Sequence, residues 1–350
     1  MKKGGGIIFL GFPFAAGVAA AELAGCPLPL AAALPPAIAA CFAVCALRRS
    51  GCRGIILVLY LLLGAFCRCT ESLYGGLPPS APFPEALDAL QAAIDRAGFP
   101  GEHSAGIITA LLTGRRGGLT PETVLAFRRS GASHILALSG LHLGVIYLFI
   151  RRILAPAGNF PAARMIRSII SIALCGAYTA VTGAGPSTVR AFLFIVINEI
   201  AGSLEGRSHS PAATFSLALM IQLCLRPSLI ASVGFQLSYL AMLGIILLYP
   251  RLNSWYPGRR GILKGIWSAA ALSTSCQLFT APVAWWRFRS LPRYYLITNL
   301  LALPLTEGII VSAIVCLVLQ ALEICPQALV TACGKMVQLL EFCLETISSL

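Results

Sequence analysis

Residues 295–319 read YLITNLLALPLTEGIIVSAIVCLVL, 25 consecutive positions with one charged side chain, Glu307. A helix that spans a bilayer needs about 20 predominantly apolar residues, and in hydrocarbon a helix satisfies its backbone polar groups within its own segment. The stretch therefore predicts a membrane helix. Outward from it, apolar runs recur near 7–24, 28–47, 54–69, 132–150, 165–183, 187–202, 211–225, 229–249, 265–285 and 327–347. Composition agrees: 57% of the 350 residues are hydrophobic and only 11% are charged, against about 25% charged in soluble domains. So few charged side chains do not cover the surface of a soluble fold of this size. The expected fold is all-α, a polytopic membrane protein with about ten or eleven transmembrane helices and a small helical outward segment.

The runs divide the chain into N-terminal transmembrane helices over 1–70, an outward segment over 71–131 and a transmembrane domain over 132–350. The middle segment opens with Gly and Pro and then shows helical periodicity in Ala86, Leu87, Leu90, Ala93 and Ile94. Thr120-Pro121-Glu122 has the residues of a helix start, a capping hydroxyl, Pro at the first helical position and an acid in the first turn. Two or three amphipathic helices on the outer face are expected there. The first apolar run lacks a convincing cleavage site before the second begins, so it reads as a retained helix rather than a signal peptide.

The net charge is +13. In a polytopic chain such an excess belongs in cytoplasmic loops. Placing Lys2 and Lys3 inside puts fourteen Lys and Arg residues on the cytoplasmic side and nine outside, which favours a cytoplasmic N-terminus in the cell's inner membrane. Arg287, Arg289 and Arg293 run against that bias, among Trp285, Trp286, Phe288, Tyr294 and Tyr295. The cluster is either an interfacial aromatic belt with snorkelling arginines or a surface for phosphates and bases at a pore mouth. Most of the thirteen cysteines lie in apolar runs, where Cys acts as a small hydrophobe. None has zinc spacing, and no metal or cofactor is expected. Whether Cys67 or Cys69 joins a distant Cys is left open, because connectivity does not follow from sequence.

Polar residues inside spans are costly and point to function. Two groups stand out. In Ser133-His134-Ile135-Leu136-Ala137-Leu138-Ser139-Gly140-Leu141-His142, a continuous helix would put Ser139 and His142 on one face with His134 nearby. In Gly183-Ala184-Gly185-Pro186-Ser187-Thr188-Val189-Arg190, a Gly/Pro break opens a helix whose free amides, with Arg190, would attract an anion. Ser139 and His142 are the residue types of a nucleophile and base, but no acid in the span orients the base. Polar contacts within the bundle account for the histidines more simply.

These residues also carry a resemblance. Ala110-Leu111-Leu112-Thr113-Gly114, followed by Gly131-Ala132-Ser133-His134-Ile135-Leu136-Ala137-Leu138-Ser139-Gly140-Leu141-His142, resembles the signature of the ComEC competence-protein family. Further matches follow in family order: Gly185 to Ala191, Gly234-Phe235-Gln236-Leu237-Ser238-Tyr239-Leu240-Ala241, Gln277 to Pro282, and Asn299 to Pro304, together covering about residues 105–320. The resemblance implies an inner-membrane channel passing single-stranded DNA into the cytoplasm during natural transformation. It further implies a DNA receptor on the outer side and a cytoplasmic helicase-type motor as partners. Self-association is left open.

On this reading His134, Ser139, His142, Arg190, Gln236 and Asn299 line the DNA pathway, with Arg287, Arg289 and Arg293 at the mouth. Longer family members carry an outward OB-fold and a β-lactamase-like domain proposed as a nuclease. This sequence has neither an H-x-H-x-D-H motif nor room for the OB-fold, so the expectation is a channel without nuclease activity and not an enzyme. The competing readings are a small-molecule or ion transporter with a closed site around Arg190 and Glu307, and an intramembrane hydrolase using Ser139 and His142.

Overall fold

The computed structural model of the protein describes residues 10–47, 52–75, 83–101, 103–158, 160–205, 210–256, 258, 261–289 and 291–349. Lys2, Lys3, Arg48, Arg49, Arg207, Arg259 and Arg260, on which much of the charge-bias argument rests, lie outside the described residues, as does most of the Gly- and Pro-rich stretch near 76–82.

The described residues are helical, with no strand among them. In chain order the first helices are α1 (Gly11–Ala24), α2 (Leu28–Leu47), α3 (Arg53–Tyr74), α4 (Pro84–Arg96), α5 (Ser104–Thr113) and α6 (Pro121–Arg129). Next come α7 (Ser133–Leu136), α8 (Gly140–Ile153), α9 (Pro161–Val181), α10 (Pro186–Glu205) and α11 (Pro211–Leu225). The last are α12 (Val233–Leu247), α13 (Tyr249–Ser254), α14 (Ile262–Phe288), α15 (Tyr295–Ala321) and α16 (Gln327–Ser348).

The protein is an all-α polytopic membrane protein. Among the described residues, five helical segments are long and apolar enough to cross a bilayer: α2, α3, α9, the Val233–Ser254 segment and α15. Three more, α1, α5 and α11, are apolar but shorter. That is fewer than the ten or eleven spans the apolar runs suggest. The difference has two sources: several runs fold as short helices, and others carry polar residues through their middle, as α16 does with Lys335, Glu341 and Glu345. Large apolar side chains on α8 and α9, including Leu148, Ile153, Met165, Ile166 and Ile169, are exposed. Exposed apolar surface on this scale suits a helix face turned to lipid.

The chain forms two compact units, each from two separated segments. One comprises the described residues within 1–79 and 193–242, the other those within 80–192 and 243–350. In the first unit α1 and α3 run parallel and pack so closely that small residues are required. A Cβ added at Gly17 would overlap the Leu61 carbonyl, and one at Gly64 would overlap that of Phe14. This is the small-residue packing by which membrane helices gain van der Waals contact. Ala21, Cys26, Leu34, Ala65 and Cys69 fill the space between α1, α2 and α3.

The second unit is centred on α5. Ile107 and Leu111 are fully buried there, against Phe127 of α6, Ile309 and Ile310 of α15 and Val337 and Leu340 of α16. Of the helices expected to lie on the outer face, α4 and α6 are amphipathic, but α5 is buried from Ile107 to Thr113. Its sequence, SAGIITALLT, is apolar on all sides, which marks a core helix rather than a surface one. The start of α6 is as its residues predict: the Thr123 amide donates to Thr120 Oγ1 at 3.2 Å, with Pro121 next.

Candidate functional site

The stretch expected to form one span over 132–150 is broken. After the single turn of α7, Ala137 is extended (φ −81°, ψ 126°) and Ser139 is the extended N-cap of α8 (φ −109°, ψ 164°). The cause is local capping chemistry. The Ser139 amide donates to His142 Nδ1 at 3.1 Å, and Ser139 Oγ lies 2.9 Å from the same nitrogen. His142 thus occupies the place that Glu or Gln takes in the usual capping box. An Nδ1 that accepts from a backbone amide makes Nε2 the protonated nitrogen of a neutral ring. His142 is 1% exposed, and its Nε2 has no hydrogen-bond partner among the described residues.

The break corrects the expected shared helix face. Ser139 and His142 meet as cap and third residue. His134 sits instead on α7, exposed, with Nδ1 3.1 Å from the Gly131 carbonyl. The histidine nitrogen facing the hydroxyl is already engaged by a backbone amide, and no acid orients the ring from Nε2 among the described residues.

A second helix start lies against the first. The turn after α9, with Gly183 at φ 84° and Ala184 at φ 48°, leads into α10 at Pro186, so the Gly/Pro break falls where the sequence places it. The buried Thr188 donates from Oγ1 to the Gly185 carbonyl at 2.8 Å and fastens this start. The contact with α8 is at Gly140. A Cβ there would lie 3.1 Å from both Ala191 Cβ and Arg190 Nη2, and 3.4 Å from the Ser187 carbonyl. The absence of a side chain at Gly140 leaves room for the guanidinium and the Ala191 methyl to pack on the first turn of α8. Arg190 is half-buried and interacts electrostatically with Cys276 on α14. One turn before Cys276, Ser273 accepts from Asn299 Nδ2 of α15 at 2.5 Å, while Asn299 Oδ1 is buried with no partner among the described residues.

Ser139, His142, Arg190 and Asn299 therefore fall on a connected set of helix contacts within one unit, and Gly140, Ser273 and Cys276 join them. Ser273 and Cys276 were detectable as a polar run, Ser273-Thr274-Ser275-Cys276-Gln277, inside an apolar segment. Gln236 belongs to the other unit, where its Nε2 donates to the Ile230 carbonyl at 2.8 Å. Glu307 is exposed on α15. Arg287, Arg289 and Arg293 are exposed in and after the last turn of α14, with Trp285, Trp286 and Phe288 also exposed. Arg287 lies over the Trp286 ring at 5.3 Å, and Arg289 takes the left-handed conformation that ends α14. From Tyr295 the chain continues as one helix through Pro304.

Two helix N-termini and a permanent cation converge at this contact. Each N-terminus carries about half a positive charge, and unpaired amides there bind phosphates. The class defined so far is a helical membrane protein with a cationic, polar site at a helix break.

The model of the competence protein family matches residues 111–350; the chain belongs to that family. Among curated proteins it is similar to ComE operon protein 3 of Bacillus subtilis (strain 168), 33% identical over 144 residues, 41% of this chain and 18% of the relative. It is also similar to competence protein ComA of Neisseria gonorrhoeae, 28% identical over 177 residues, 48% of this chain and 25% of the relative. A third relative, the uncharacterized protein YcaI of Escherichia coli (strain K12), is 27% identical over 216 residues, 59% of this chain and 28% of the relative. The matches cover between 18% and 28% of these relatives' own length. No solved structure matches.

Proposed function

We propose that this chain is the conduit through which one strand of DNA crosses the cytoplasmic membrane during natural transformation. The N-terminus is cytoplasmic, a DNA receptor delivers from the outer side, and a cytoplasmic motor draws the strand inward. Family membership supports a role in DNA uptake. The observation that carries the finer reading is the seating of Arg190 on the N-terminus of α8 at Gly140. A moving strand needs positive potential and contacts that exchange, because a single tight site would halt transit. Helix-terminal amides and a half-buried guanidinium meet that need: they attract each phosphate in turn and make no base-specific contact. The exposed arginines and aromatics at 285–293 suit entry, where stacking on aromatic rings is tolerant of sequence. The chain's part is transport, with no chemical step on the strand.

Transformation of a competent host tests this. Deletion of the gene is expected to abolish the DNase-protected DNA pool while DNA still binds the envelope. Arg190→Ala should restore less than a tenth of it, and Arg190→Lys, which keeps the charge but not the planar fork, an intermediate share. A deletion strain that accumulates protected DNA normally refutes the proposal.

A further inference from the structure

The unit that lacks Arg190 holds a separate constellation. α1, α3 and α11 run parallel there: Gly17 and Gly64 mark the α1–α3 contact, and Gly11 meets Ser216. Their C-terminal ends come together. Arg68 is ion-paired with Glu22 and lies 3.6 Å from Glu71. Glu71 in turn accepts from the Ser228 amide at 2.6 Å and from Ser228 Oγ at 2.8 Å. One turn before Glu71, on the same face of α3, stands Cys67. Four residues before Ser228 stands Cys224, and the Cys67 and Cys224 thiols interact with each other beside the Glu71–Ser228 contact. A second couple lies nearby, Cys26 and Cys69.

The two couples differ in access. Cys26 and Cys69 are 8% and 0% exposed, whereas Cys67 is half-buried and Cys224 is exposed. Glu22, Arg68, Glu71 and Arg226 set this end at the polar edge of the apolar runs. Counting spans from a cytoplasmic N-terminus, the ends of α1, α3 and α11 all reach the outer side. Disulfides persist on that side.

We propose that Cys67 and Cys224 form a disulfide that staples α3 to α11, joining the two sequence-distant segments of this unit, while Cys26 and Cys69 stay thiols. Both members of the staple are thiols in the present structure. The oxidant is an external disulfide of the thiol–disulfide oxidoreductase class. The accessible Cys224 thiolate attacks it, giving a mixed disulfide and releasing one oxidant thiol. The Cys67 thiolate then displaces the second oxidant sulfur from Cys224. The two cysteines lose two protons and two electrons in all, and the oxidant gains them as its dithiol.

The full-length protein, taken from membranes of an aerobically grown host with thiols blocked at lysis, is digested without reductant and mapped by mass spectrometry. The expected result is a linked peptide pair containing Cys67 and Cys224, with Cys26 and Cys69 alkylated. Cys224→Ser should free Cys67 for labelling, and Cys69→Ser should leave the link intact. Alkylation of Cys67 and Cys224 as free thiols, while a control outer-face disulfide in the same membranes stays oxidised, overturns the proposal. So does a Cys26–Cys69 link in their place. If the serine variants fail to accumulate, the map of the unaltered protein decides alone.

Discussion

Gly140 and Arg190 form one device, because the guanidinium packs against the glycine, 3.1 Å from where a Cβ would stand. In Gly140→Ala the new Cβ has to clear both Ala191 Cβ and Arg190 Nη2 at 3.1 Å. The guanidinium yields easily; the Ala191 methyl, fixed to the helix, does not. Overpacking of this kind costs roughly 1–3 kcal/mol. The expected outcome is a lowered melting temperature in detergent together with reduced DNA uptake. Ser139→Ala removes the hydroxyl cap but leaves the Ser139 amide on His142. A lost cap costs about 1 kcal/mol, visible as a modest drop in melting temperature that Ser139→Thr largely restores. A fluorophosphonate probe should leave Ser139 unlabelled; labelling there would favour the hydrolase reading instead.

Individual helices carry predictions of their own. Gly17→Leu forces α1 from the Leu61 backbone, and unlike a flexible side chain that backbone has nowhere to go. We expect the variant to be degraded in the membrane, measurable as a loss of most of the steady-state protein. Ile107→Ala opens a hole in the fully buried face of α5 and should cost about 2–5 kcal/mol. Had α5 been an amphipathic surface helix, the cost would stay below about 0.5 kcal/mol.

Which of these features the sequence discloses follows from what sets them. The start of α6 at Pro121 and the start of α10 at Pro186 are legible, because Thr, Pro and Gly act locally. The break at Ser139 is not, since Ala137 and Leu138 are apolar and His142 is an unusual residue for the third position of a capping box. The burial of α5 does not stand out within the outward segment over 71–131, although residues 104–113 alone are apolar on every face. The meeting of Gly140 with Arg190 is a tertiary contact between sequence-distant helices, and hydropathy carries no trace of it.

For the whole molecule, entry and passage should separate by salt. Replacing Arg287, Arg289 and Arg293 with Gln removes three exposed cations. If each meets one phosphate, the slope of log affinity against log salt for single-stranded DNA should flatten by about 2, measured on protein in nanodiscs. An unchanged slope would make the cluster an interfacial belt.

The most direct measurement places a photocrosslinking residue at Ala191, whose Cβ faces Gly140, and another at the exposed Leu148 in the same unit. Cells are then irradiated while they import labelled DNA. A labelled strand joined at 191 and not at 148, appearing during import and vanishing when it ends, is the predicted result. Protected DNA that accumulates normally with no crosslink at 191 would contradict the account.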